Sequence, residues 1–314
     1  MSQAHISVLL NESIEGLNIK SDGIYVDGTL GRAGHSSEIL KKLTTGTLYS
    51  FDKDQEAIDA IENNYDNWKV IKGDFKDIKS ILESYGVSKI DGLLLDIGVS
   101  SPQFDKGVRG FSYRFDDRLD MRMDLSQDLD AYKVVNEYSH KELMDIFYKY
   151  GEEKFSNIIA KNIVEARKEK PVTTTFELVD IIKASLPNRV LRKKGHPAKQ
   201  VFQAIRIEVN NELGALEKVL DDASEMLNSG GRIVVITFHS LEDRIVKQTF
   251  NDLVTQHDID PRIPIMPDQI VESDYKLITR KPITASSEEL AANKRATSAK
   301  LRIIERIWKH EKNN

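Results

Sequence analysis

The sequence predicts an α/β protein, built on a mostly parallel sheet, with an all-helical segment inserted between its two halves. Over the first hundred residues, helical stretches alternate with short apolar runs: "GIYVDGT", "TLYSFD", "WKVIKGD" and "IDGLLLDIGV". This alternation is typical of parallel strands joined by crossover helices. The pattern resumes in "VLDDASEMLNSGGRIVVITFHS", where Gly230 and Gly231 are expected to end a helix before an apolar strand. The late runs "YKLITRKPI" and "AKLRIIERI" are candidates for closing strands.

The strand signal disappears between the two halves. There, "EEKFSNIIAKNIVEAR" repeats apolar residues at helical spacing, and Thr174 and Glu177 are spaced as a capping box at the start of another helix. We therefore expect a discontinuous sheet domain over 1–108 and 206–314, and a helical insertion over 109–205.

Composition excludes several classes of protein. With 40% apolar and 30% charged residues, the 314-residue chain resembles an ordinary globular protein. Cysteine is absent, which excludes disulfides, thiolate metal sites and a thiol nucleophile, and the seven histidines lack ligand spacing, so no metal site is expected. The N-terminal stretch lacks the features of a signal peptide and no apolar run is long enough to span a membrane. A cytoplasmic protein without membrane contact is expected.

A glycine-rich turn follows the first predicted strand. In "DGTLGRAGHSSEIL", Gly28, Gly31 and Gly34 are three residues apart, just before a helix. Glycine allows a tight turn and a close approach of the backbone to a ligand, at a helix start where amides point outward. The alternative is a glycine-rich turn that binds nothing, because short motifs of this kind are often fortuitous.

Acidic and aromatic residues follow the next two strands. Asp52 ends the second strand and can accept hydrogen bonds from both ribose hydroxyls of an adenosine-containing cofactor, although it can also be a surface acid or a helix cap. Phe75, after the third strand, can pack on an adenine ring with Asp74 near the adenine amino group, or belong to the core. The glycine spacing departs from the dinucleotide fingerprint G-x-G-x-x-G, which favours S-adenosylmethionine over a dinucleotide.

The fourth strand ends at Asp96 and is followed by "SSPQF". This segment resembles the Ser/Asp/Asn-Pro-Pro-Tyr/Phe motif of methyltransferases that modify exocyclic amines of bases. A side-chain oxygen of Ser100 or Ser101 and a carbonyl near Pro102 can engage the amine protons, while Phe104 stacks on the base. The alternative is a plain turn, which Ser-Ser-Pro commonly forms.

Taken together, the blocks of this sequence resemble the RsmH/MraW family of bacterial ribosomal RNA methyltransferases. The resemblance covers nearly the whole chain and rests on "HISVLLNE", "DGTLGRAGHS", "LLLDIGVSSPQ", "RGFSYRFDDRLDMRMD", "YGEEKF", "HPAKQVFQAIRIEVNNEL", "GGRIVVITFHSLEDRIVK" and "ATSAKLRIIER". It implies a Rossmann-like class I methyltransferase sheet with a helical insertion. It also implies transfer of a methyl group from S-adenosyl-L-methionine to the N4 amine of a cytidine in small-subunit 16S ribosomal RNA, in the decoding region.

The resemblance also implies which residues contact the methyl donor. These are Ala33, Gly34, His35, Asp52, Phe75, Asp96 and Gln103. Two departures from the family pattern stand out. Ala33 occupies a position where relatives often have glycine, which the site tolerates if the φ of Ala33 is negative. The segment "RFDDRLDMRMD" replaces a common Asp-Gly-Pro-Leu-Asp; it can fold over the substrate, or Met121 and Met123 can pack as core.

Two further blocks have candidate roles. "FHSLEDR" follows the fifth strand, and we assign His239 and Asp243 a structural or base-positioning role, with direct catalysis as the alternative. The stretch 183–206 holds seven lysines and arginines and no acidic residue, whereas the whole chain has a net charge of −5. It is the candidate contact for RNA phosphates, although a charged loop is often only solvated. The residues assigned to that contact are Arg192, Lys193, Lys194, His196 and Lys199.

Three functions remain open at this point. The first is a methyltransferase acting on ribosomal RNA within or outside the small subunit. The second is an oxidoreductase using a nicotinamide dinucleotide, which the missing fingerprint disfavours. The third is a non-catalytic RNA-binding assembly factor, which has no need of Asp52 or "SSPQF". A long helix expected through 200–228 can supply a homodimer interface.

Overall fold

The structure is a computed structural model that describes residues 7–97, 108–255 and 273–307. The chain divides into two compact units, which are described separately below. The first comprises Met1–Gly98 and Leu213–Asn314, and the second comprises Val99–Glu212. The range 109–205, expected as a helical insertion, lies within the second unit.

The first unit contains a sheet whose strands, among the described residues, run in the order β3-β2-β1-β4-β5-β7-β6. Strands β1 to β5 pair in parallel, whereas β7 is antiparallel to both β5 and β6. The strands are β1 Ile24–Asp27, β2 Thr47–Asp52, β3 Trp68–Lys72, β4 Ile90–Asp96, β5 Leu227–Thr237, β6 Tyr275–Leu277 and β7 Lys300–Arg306. The predicted class I, Rossmann-like methyltransferase sheet is therefore confirmed.

Strands β4 and β5 carry continuous runs of buried Leu, Ile and Val. Such strands need helices packed on them to keep these side chains from water. The N-terminal helices of the first unit are α1 Leu10–Leu17, α2 Gly34–Leu40, α3 Gln55–Asp59 and α4 Ile78–Ser84. Apolar side chains from these elements and the strands form clusters on the sheet, with Leu93 and Leu94 fully buried. Burial of both faces explains why the strands read as apolar runs rather than as alternating patterns.

From residue 108 to residue 212, where the structure describes the second unit, it is helical apart from turns and an isolated bridge between Arg118 and Thr174. Its helices are α5 Ala131–Glu137, α6 His140–Lys149, α7 Ser156–Glu169, α8 Thr175–Ser185, α9 Asn188–Leu191 and α10 Lys199–Asn210. The predicted capping box is confirmed, since the Thr174 hydroxyl accepts from the Glu177 amide and the Glu177 carboxylate accepts from the Thr174 amide. Ile159 and Ile163 of α7 are fully buried, as their helical spacing predicts.

Three more helices belong to the C-terminal half: α11 Glu212–Met226, α12 Ser240–Val254 and α13 Ser287–Ala292. The expected single helix through 200–228 is wrong, because Asn211 adopts a left-handed conformation with φ 46° and separates α10 from α11. Asparagine is one of the few non-glycine residues that enters this region readily.

The role expected for Gly230 and Gly231 is also wrong. Helix α11 ends at Met226, and both glycines lie inside β5. There the pairing with β4 jumps from Ile90–Leu227 to Gly92–Arg232, and Gly230 has φ 79°. Glycine is needed at this irregular start of the strand because other residues rarely adopt a positive φ.

Within the described ranges, no helix has both the length and the apolar character that crossing a membrane requires.

Candidate donor and nucleic-acid sites

The carboxyl edge of the first unit's sheet collects the predicted donor residues. The strand order reverses between β1 and β4, and ligands of open α/β sheets bind at such a switch point, beyond the carboxyl ends of the strands. Each of three strands ends there in an aspartate: Asp27 on β1, Asp52 on β2 and Asp96 on β4.

The glycine turn connects β1 to α2 at this edge. Gly31 has φ 51°, a conformation that favours glycine, and a Cβ at Gly34 would overlap the Ser7 hydroxyl oxygen. Ala33, the residue before α2, has φ 58°, so the condition under which alanine is tolerated without strain, a negative φ, is not met. A non-glycine residue in this conformation costs roughly 1–2 kcal/mol, which explains why glycine suits the position better. Ala33 is buried.

Asp52 holds this turn in place. Its Oδ2 accepts a hydrogen bond from the Gly31 amide at 2.9 Å, and its Oδ1 accepts from the Asp54 amide at 2.9 Å. Burial raises the pKa of Asp52, and the two amide bonds oppose that rise. Because a carboxylate has about four acceptor positions, Asp52 keeps capacity for further hydrogen bonds from a ligand.

Asp96 lies at the end of β4 and is the strongest sign of a ligand at this edge. Its Oδ1 is buried and has no hydrogen-bond partner among the described residues. Its Oδ2 lies 3.8 Å from His35 Nδ1, and burial raises the pKa of Asp96 to about 6 against the opposing influence of His35. Buried polar atoms in native proteins are nearly always satisfied, so this oxygen is suited to accept a hydrogen bond from a ligand.

His35 is fixed by its own contacts. Its side chain is buried, and its Nε2 donates to the Val8 carbonyl at 3.2 Å, since a carbonyl can only accept. Gly34 and His35 form the first turn of α2, whose amides have no intrahelical partner. Contact of these residues with a donor is therefore most readily made by the backbone.

A chain of buried hydrogen bonds supports the turn from below, and sequence reasoning missed it. Trp68 Nε1 donates to Ser50 Oγ at 2.8 Å, Ser50 and Ser36 hydroxyls are 2.8 Å apart, and Ser36 Oγ donates to Asp27 Oδ2 at 2.6 Å. Asp27 Oδ1 accepts from the Thr29 amide at 3.0 Å. The signal that could have revealed this chain is polar residues, Asp27 and Ser50, within strands that are otherwise apolar.

Thr29 extends that chain to β4. Its hydroxyl oxygen accepts a hydrogen bond from the Asp96 amide at 2.7 Å. The glycine turn and the end of β4 are therefore joined through Thr29. Its hydrogen bonds fix the positions of Asp27 and Asp96 relative to the turn.

Phe75 lies beyond β3, partly buried and packed against the core, with Lys53 Nζ 5.5 Å from its ring centroid. Lys53 also pairs with Asp74 Oδ2 at 2.8 Å. Asp74 is thus held by a cation beside Phe75. The ring combines a packed side with a partly exposed surface, which suits either a core or a ring-stacking role.

The segment predicted to bind the acceptor amine follows Asp96 in the sequence. Ser100, Ser101, Pro102, Gln103 and Phe104 lie outside the described residues. Their proposed roles therefore rest on the sequence, with Asp96 as the nearest described site residue before them.

His239 and Asp243 have structural contacts. His239 is the N-cap of α12. Its Nδ1 accepts a hydrogen bond from the Glu242 amide, and the Glu242 carboxylate accepts one from the His239 amide. Asp243 accepts from Arg302 Nε at 2.7 Å and Lys300 Nζ at 2.9 Å. Although burial acts to raise the pKa of Asp243, these bonds hold it below its usual value. A carboxylate held by two cations is a weak base, so these contacts favour a positioning role.

In the second unit, the residues assigned to RNA contact lie mainly on the surface. Arg192, Lys193, Lys194 and Lys199 are exposed and form no ion pair with described residues. His196 is partly buried, and burial together with Lys183 and Arg114 lowers its pKa.

The segment "RFDDRLDMRMD" is anchored in the second unit. Met121 is fully buried and Met123 is packed against the same core. The Asn210 side chain donates to the Met121 carbonyl at 2.8 Å and accepts from the Met123 amide at 2.8 Å. These contacts support the reading of both methionines as core residues.

Comparisons with known proteins show the family of this chain. The model of the MraW methylase family matches residues 2–307. A relative from Exiguobacterium sibiricum, named Ribosomal RNA small subunit methyltransferase H, is 52% identical over 307 residues, covering 96% of this chain and 98% of the relative. A relative of the same name from Lactobacillus delbrueckii subsp. bulgaricus is 51% identical, covering 98% of this chain and all of the relative. An rRNA methylase structure from Streptococcus thermophilus matches over 97% of this chain and 100% of its own at 13% identity and TM-score 0.38.

The cofactor of the chain is S-adenosyl-L-methionine. The residues at the carboxyl edge fit this molecule. The glycine turn leaves room for a ligand beside the backbone, and Asp52 has acceptor capacity for ribose hydroxyls. The unpartnered Oδ1 of Asp96 offers a further acceptor for a molecule that carries positive charge.

Proposed function

Since this chain belongs to the MraW methylase family, we propose that it transfers the methyl group of S-adenosyl-L-methionine to a cytidine in small-subunit ribosomal RNA. The acceptor atom is the exocyclic N4 amine of one specific cytidine in the decoding region of 16S RNA. The family membership and the names of the relatives support the RNA substrate. The sequence after β4 supports the amine acceptor.

The residues of the carboxyl edge hold the donor. Asp52 accepts hydrogen bonds from the ribose hydroxyls, and Phe75 packs on the adenine ring. Asp96 accepts a hydrogen bond from the donor through Oδ1, which has no partner among the described residues. Ala33, Gly34 and His35 contribute backbone at the start of α2, and Gln103 is a further contact implied by the family resemblance. When bound, the donor supplies a methyl group activated by an adjacent sulfonium.

The acceptor is held by the segment after Asp96. The lone pair of a cytosine amine is delocalised into the ring, so the amine is a poor nucleophile. A Ser100 or Ser101 oxygen and a carbonyl near Pro102 accept hydrogen bonds from its two N–H groups, which turns the nitrogen toward tetrahedral geometry. The one proton that the amine loses as the methyl group arrives passes to water. Phe104 stacks on the base. His239 and Asp243 act as positioning residues, because their side chains are engaged by α12 and β7.

The second unit contributes affinity for RNA. Arg192, Lys193, Lys194 and Lys199 contact phosphates, with His196 beside them. Exposed cations without carboxylate partners are free to replace the counterions of a polyanion, which favours binding at low salt.

One observation supports the proposed reaction most directly: a buried carboxylate oxygen of Asp96, without a hydrogen-bond partner among the described residues, lies at the switch point of the sheet, four residues before "SSPQF". A donor-binding edge and an amine-binding motif are thereby placed in immediate succession along the chain. An oxidoreductase has no use for this motif, and a pure RNA-binding factor has no use for the donor edge.

The test is methyl transfer from labelled S-adenosyl-L-methionine to unmodified small ribosomal subunits and, in parallel, to their free RNA. Nucleoside mass spectrometry of the product is expected to place the label in N4-methylcytidine. Label in another nucleoside would overturn the proposed acceptor, and no label in either substrate from a protein that binds the donor would overturn the proposed reaction.

Variants locate the reaction within the chain. Asp52→Ala and Ser101→Ala are expected to abolish methyl transfer with the fold retained, the first through donor binding and the second through the acceptor. Asp66→Ala and Ser84→Ala are matched controls on the surface of the first unit and are expected to keep full activity. Full activity in both site variants would reject the assigned sites.

A further inference from the structure

One face of the second unit joins two blocks that are far apart in the sequence. The ring of Tyr113, from "GFSYRF", stacks on the His196 ring with centroids 4.1 Å apart and an angle of 10° between the planes. Phe202 of α10 packs edge-on against Tyr113, with centroids 5.7 Å apart. Tyr113 thus packs against two rings of the stretch 183–206, one before α10 and one within it, so the aromatic segment and the basic stretch are in direct contact.

Cations gather on this surface without carboxylate partners. Burial lowers the pKa of His196, and the positive charges of Lys183 and Arg114 act in the same direction. Neither Lys183 nor Arg114 forms an ion pair within the described part of the chain. His196 Nδ1 accepts from the Ala198 amide at 3.2 Å, so the neutral ring carries its proton on Nε2 as a donor. Unpaired cations in a protein of net charge −5 are arranged for an anionic partner.

Two half-exposed phenylalanine rings belong to the same chain segments as these cations, since Phe115 follows Arg114 and Phe176 shares α8 with Lys183. Phe115, the residue after Arg114, is 45% exposed and Phe176 at the start of α8 is 43% exposed. Thr175 Oγ1 donates to the Phe115 carbonyl at 2.6 Å, and the Phe176 amide donates to Asp116 Oδ1 at 3.3 Å. The two rings are therefore carried by adjacent segments of backbone.

The support under these rings is rigid. The Asp117 amide donates to Thr175 Oγ1 at 3.1 Å, the Thr175 amide donates to the Asp117 carbonyl at 2.9 Å, and Arg118 bridges to Thr174. The carboxylates of Asp116 and Asp117 accept from backbone amides, so each already has a local partner. A fixed aromatic surface binds with little loss of conformational entropy.

We propose that this surface, composed of Arg114, Phe115, Phe176 and Lys183 beside the Tyr113–His196 stack, binds an unpaired stretch of RNA. Arg114 and Lys183 contact phosphates, and the two phenylalanine rings stack on bases. The inference rests on the proposed function and specifies its substrate, since the faces of bases are accessible to aromatic rings only where the RNA is single-stranded. A second protein would suit the exposed rings, but it would leave the unpaired cations unexplained.

The test of stacking compares binding of the full-length protein to a labelled unpaired RNA and to a hairpin duplex of the same composition. The double variant Phe115→Leu, Phe176→Leu keeps apolar side chains but removes both aromatic faces. It is expected to bind the unpaired RNA at least about tenfold more weakly, because stacking contributes roughly 1–3 kcal/mol per base. Duplex binding is expected to be unchanged. The control is Tyr148→Leu, which removes an aromatic ring that is 71% exposed on α6.

The test of charge uses Arg114→Gln, Lys183→Gln. This double variant is expected to weaken binding of both RNAs and to lower the slope of log affinity against log salt by about 1.4 for the unpaired RNA. The control is Lys168→Gln, since Lys168 already pairs with Glu165 at 2.8 Å. A circular dichroism spectrum and a urea-unfolding midpoint equal to those of the wild-type protein show that each variant retains the fold of the second unit.

The outcomes are distinct. The stacking surface would be overturned if the phenylalanine variant kept its affinity for unpaired RNA, or lost affinity equally for both RNAs; the proposed methyl transfer would still stand. The phosphate contacts would be overturned if the charge variant kept both its RNA affinity and its salt slope. Failure of the wild-type protein to methylate ribosomal RNA, with the stacking preference intact, would overturn the proposed function and leave the RNA surface standing.

Discussion

Charged residues have opposite environments at the carboxyl edge of the sheet and on the basic face of the second unit, formed by Arg192, Lys193 and Lys194. At the edge, Asp27 and Asp52 are buried or nearly so, and their oxygens accept hydrogen bonds from the surrounding chain. On the basic face, Arg192, Lys193 and Lys194 are exposed and form no ion pair with any residue that the structure describes. Buried charges need hydrogen bonds or ion pairs within the protein, whereas exposed cations are solvated by water and remain able to bind an anionic partner. We therefore expect substitutions at the edge to change the stability of the fold, and substitutions on the basic face to change the affinity for RNA.

The largest effect on stability is expected at the buried hydrogen-bond chain. Ser36→Ala removes the donor to Asp27 and the partner of Ser50. The free energy of unfolding is expected to fall by about 2–3 kcal/mol, because buried polar groups are left without partners. Urea denaturation measures this change. Ser84→Ala, on the surface of α4, is the control and is expected to change it by less than about 0.5 kcal/mol. Equal effects of the two substitutions would mean that the chain does not stabilise the edge.

A smaller effect is expected from Asp96 and depends on pH. The folded pKa of about 6 exceeds the ordinary value of 3.8, so the folded protein binds more protons than the unfolded chain between these values. Stability in the absence of donor therefore falls as pH rises from about 4 to 6. Asp96→Asn removes this dependence and is expected to stabilise the donor-free protein at pH 7 by about 1–2 kcal/mol, after allowance for partial exposure. The same pH dependence in wild type and Asp96→Asn would contradict this assignment.

Ala33→Gly is expected to have a modest, stabilising effect. The substitution relieves the strain of φ 58°, but glycine also increases the entropy of the unfolded chain. The net gain in the free energy of unfolding is expected to be below about 1 kcal/mol. Ala166→Gly, inside α7, is the matched control and is expected to cost about 1 kcal/mol. A loss at Ala33 as large as that at Ala166 would show that the turn is not strained.

The smallest effect on stability is expected on the basic face. Replacing Arg192, Lys193 and Lys194 together by glutamine is expected to change the free energy of unfolding by less than about 0.5 kcal/mol, because these side chains form no ion pairs with described residues. Thermal or urea unfolding measures this. A loss comparable to that of Ser36→Ala would remove the contrast between the two regions.

The features that the sequence predicted are those with local or periodic signals. Strands β1 to β7 follow from apolar runs, and Thr174 with Glu177 follows from capping-box spacing. Asp52 and the glycine turn were expected at one edge because parallel strands share their carboxyl ends, and the hydrogen bond from Gly31 to Asp52 agrees with that placement.

The features that the sequence did not predict depend on tertiary contacts or on single backbone angles. Asp243 is paired with Arg302, 59 residues away, and the stacked Tyr113 and His196 have no common periodic pattern. The left-handed conformation of Asn211 was missed because its sequence continues the neighbouring helical pattern, and that of Ala33 gives no local signal because alanine rarely adopts a positive φ. Such contacts are selected by packing rather than by local propensity.

The most direct test of the division between the two regions measures donor binding and RNA binding for two variants of the full-length protein. Calorimetry reports the affinity for S-adenosyl-L-methionine, and fluorescence anisotropy reports the affinity for small-subunit RNA. Asp52→Ala is expected to lose donor affinity and keep RNA affinity, whereas replacement of Arg192, Lys193 and Lys194 by glutamine is expected to do the reverse. Loss of both affinities in each variant, or of neither, would contradict the assignment of donor and RNA to separate regions.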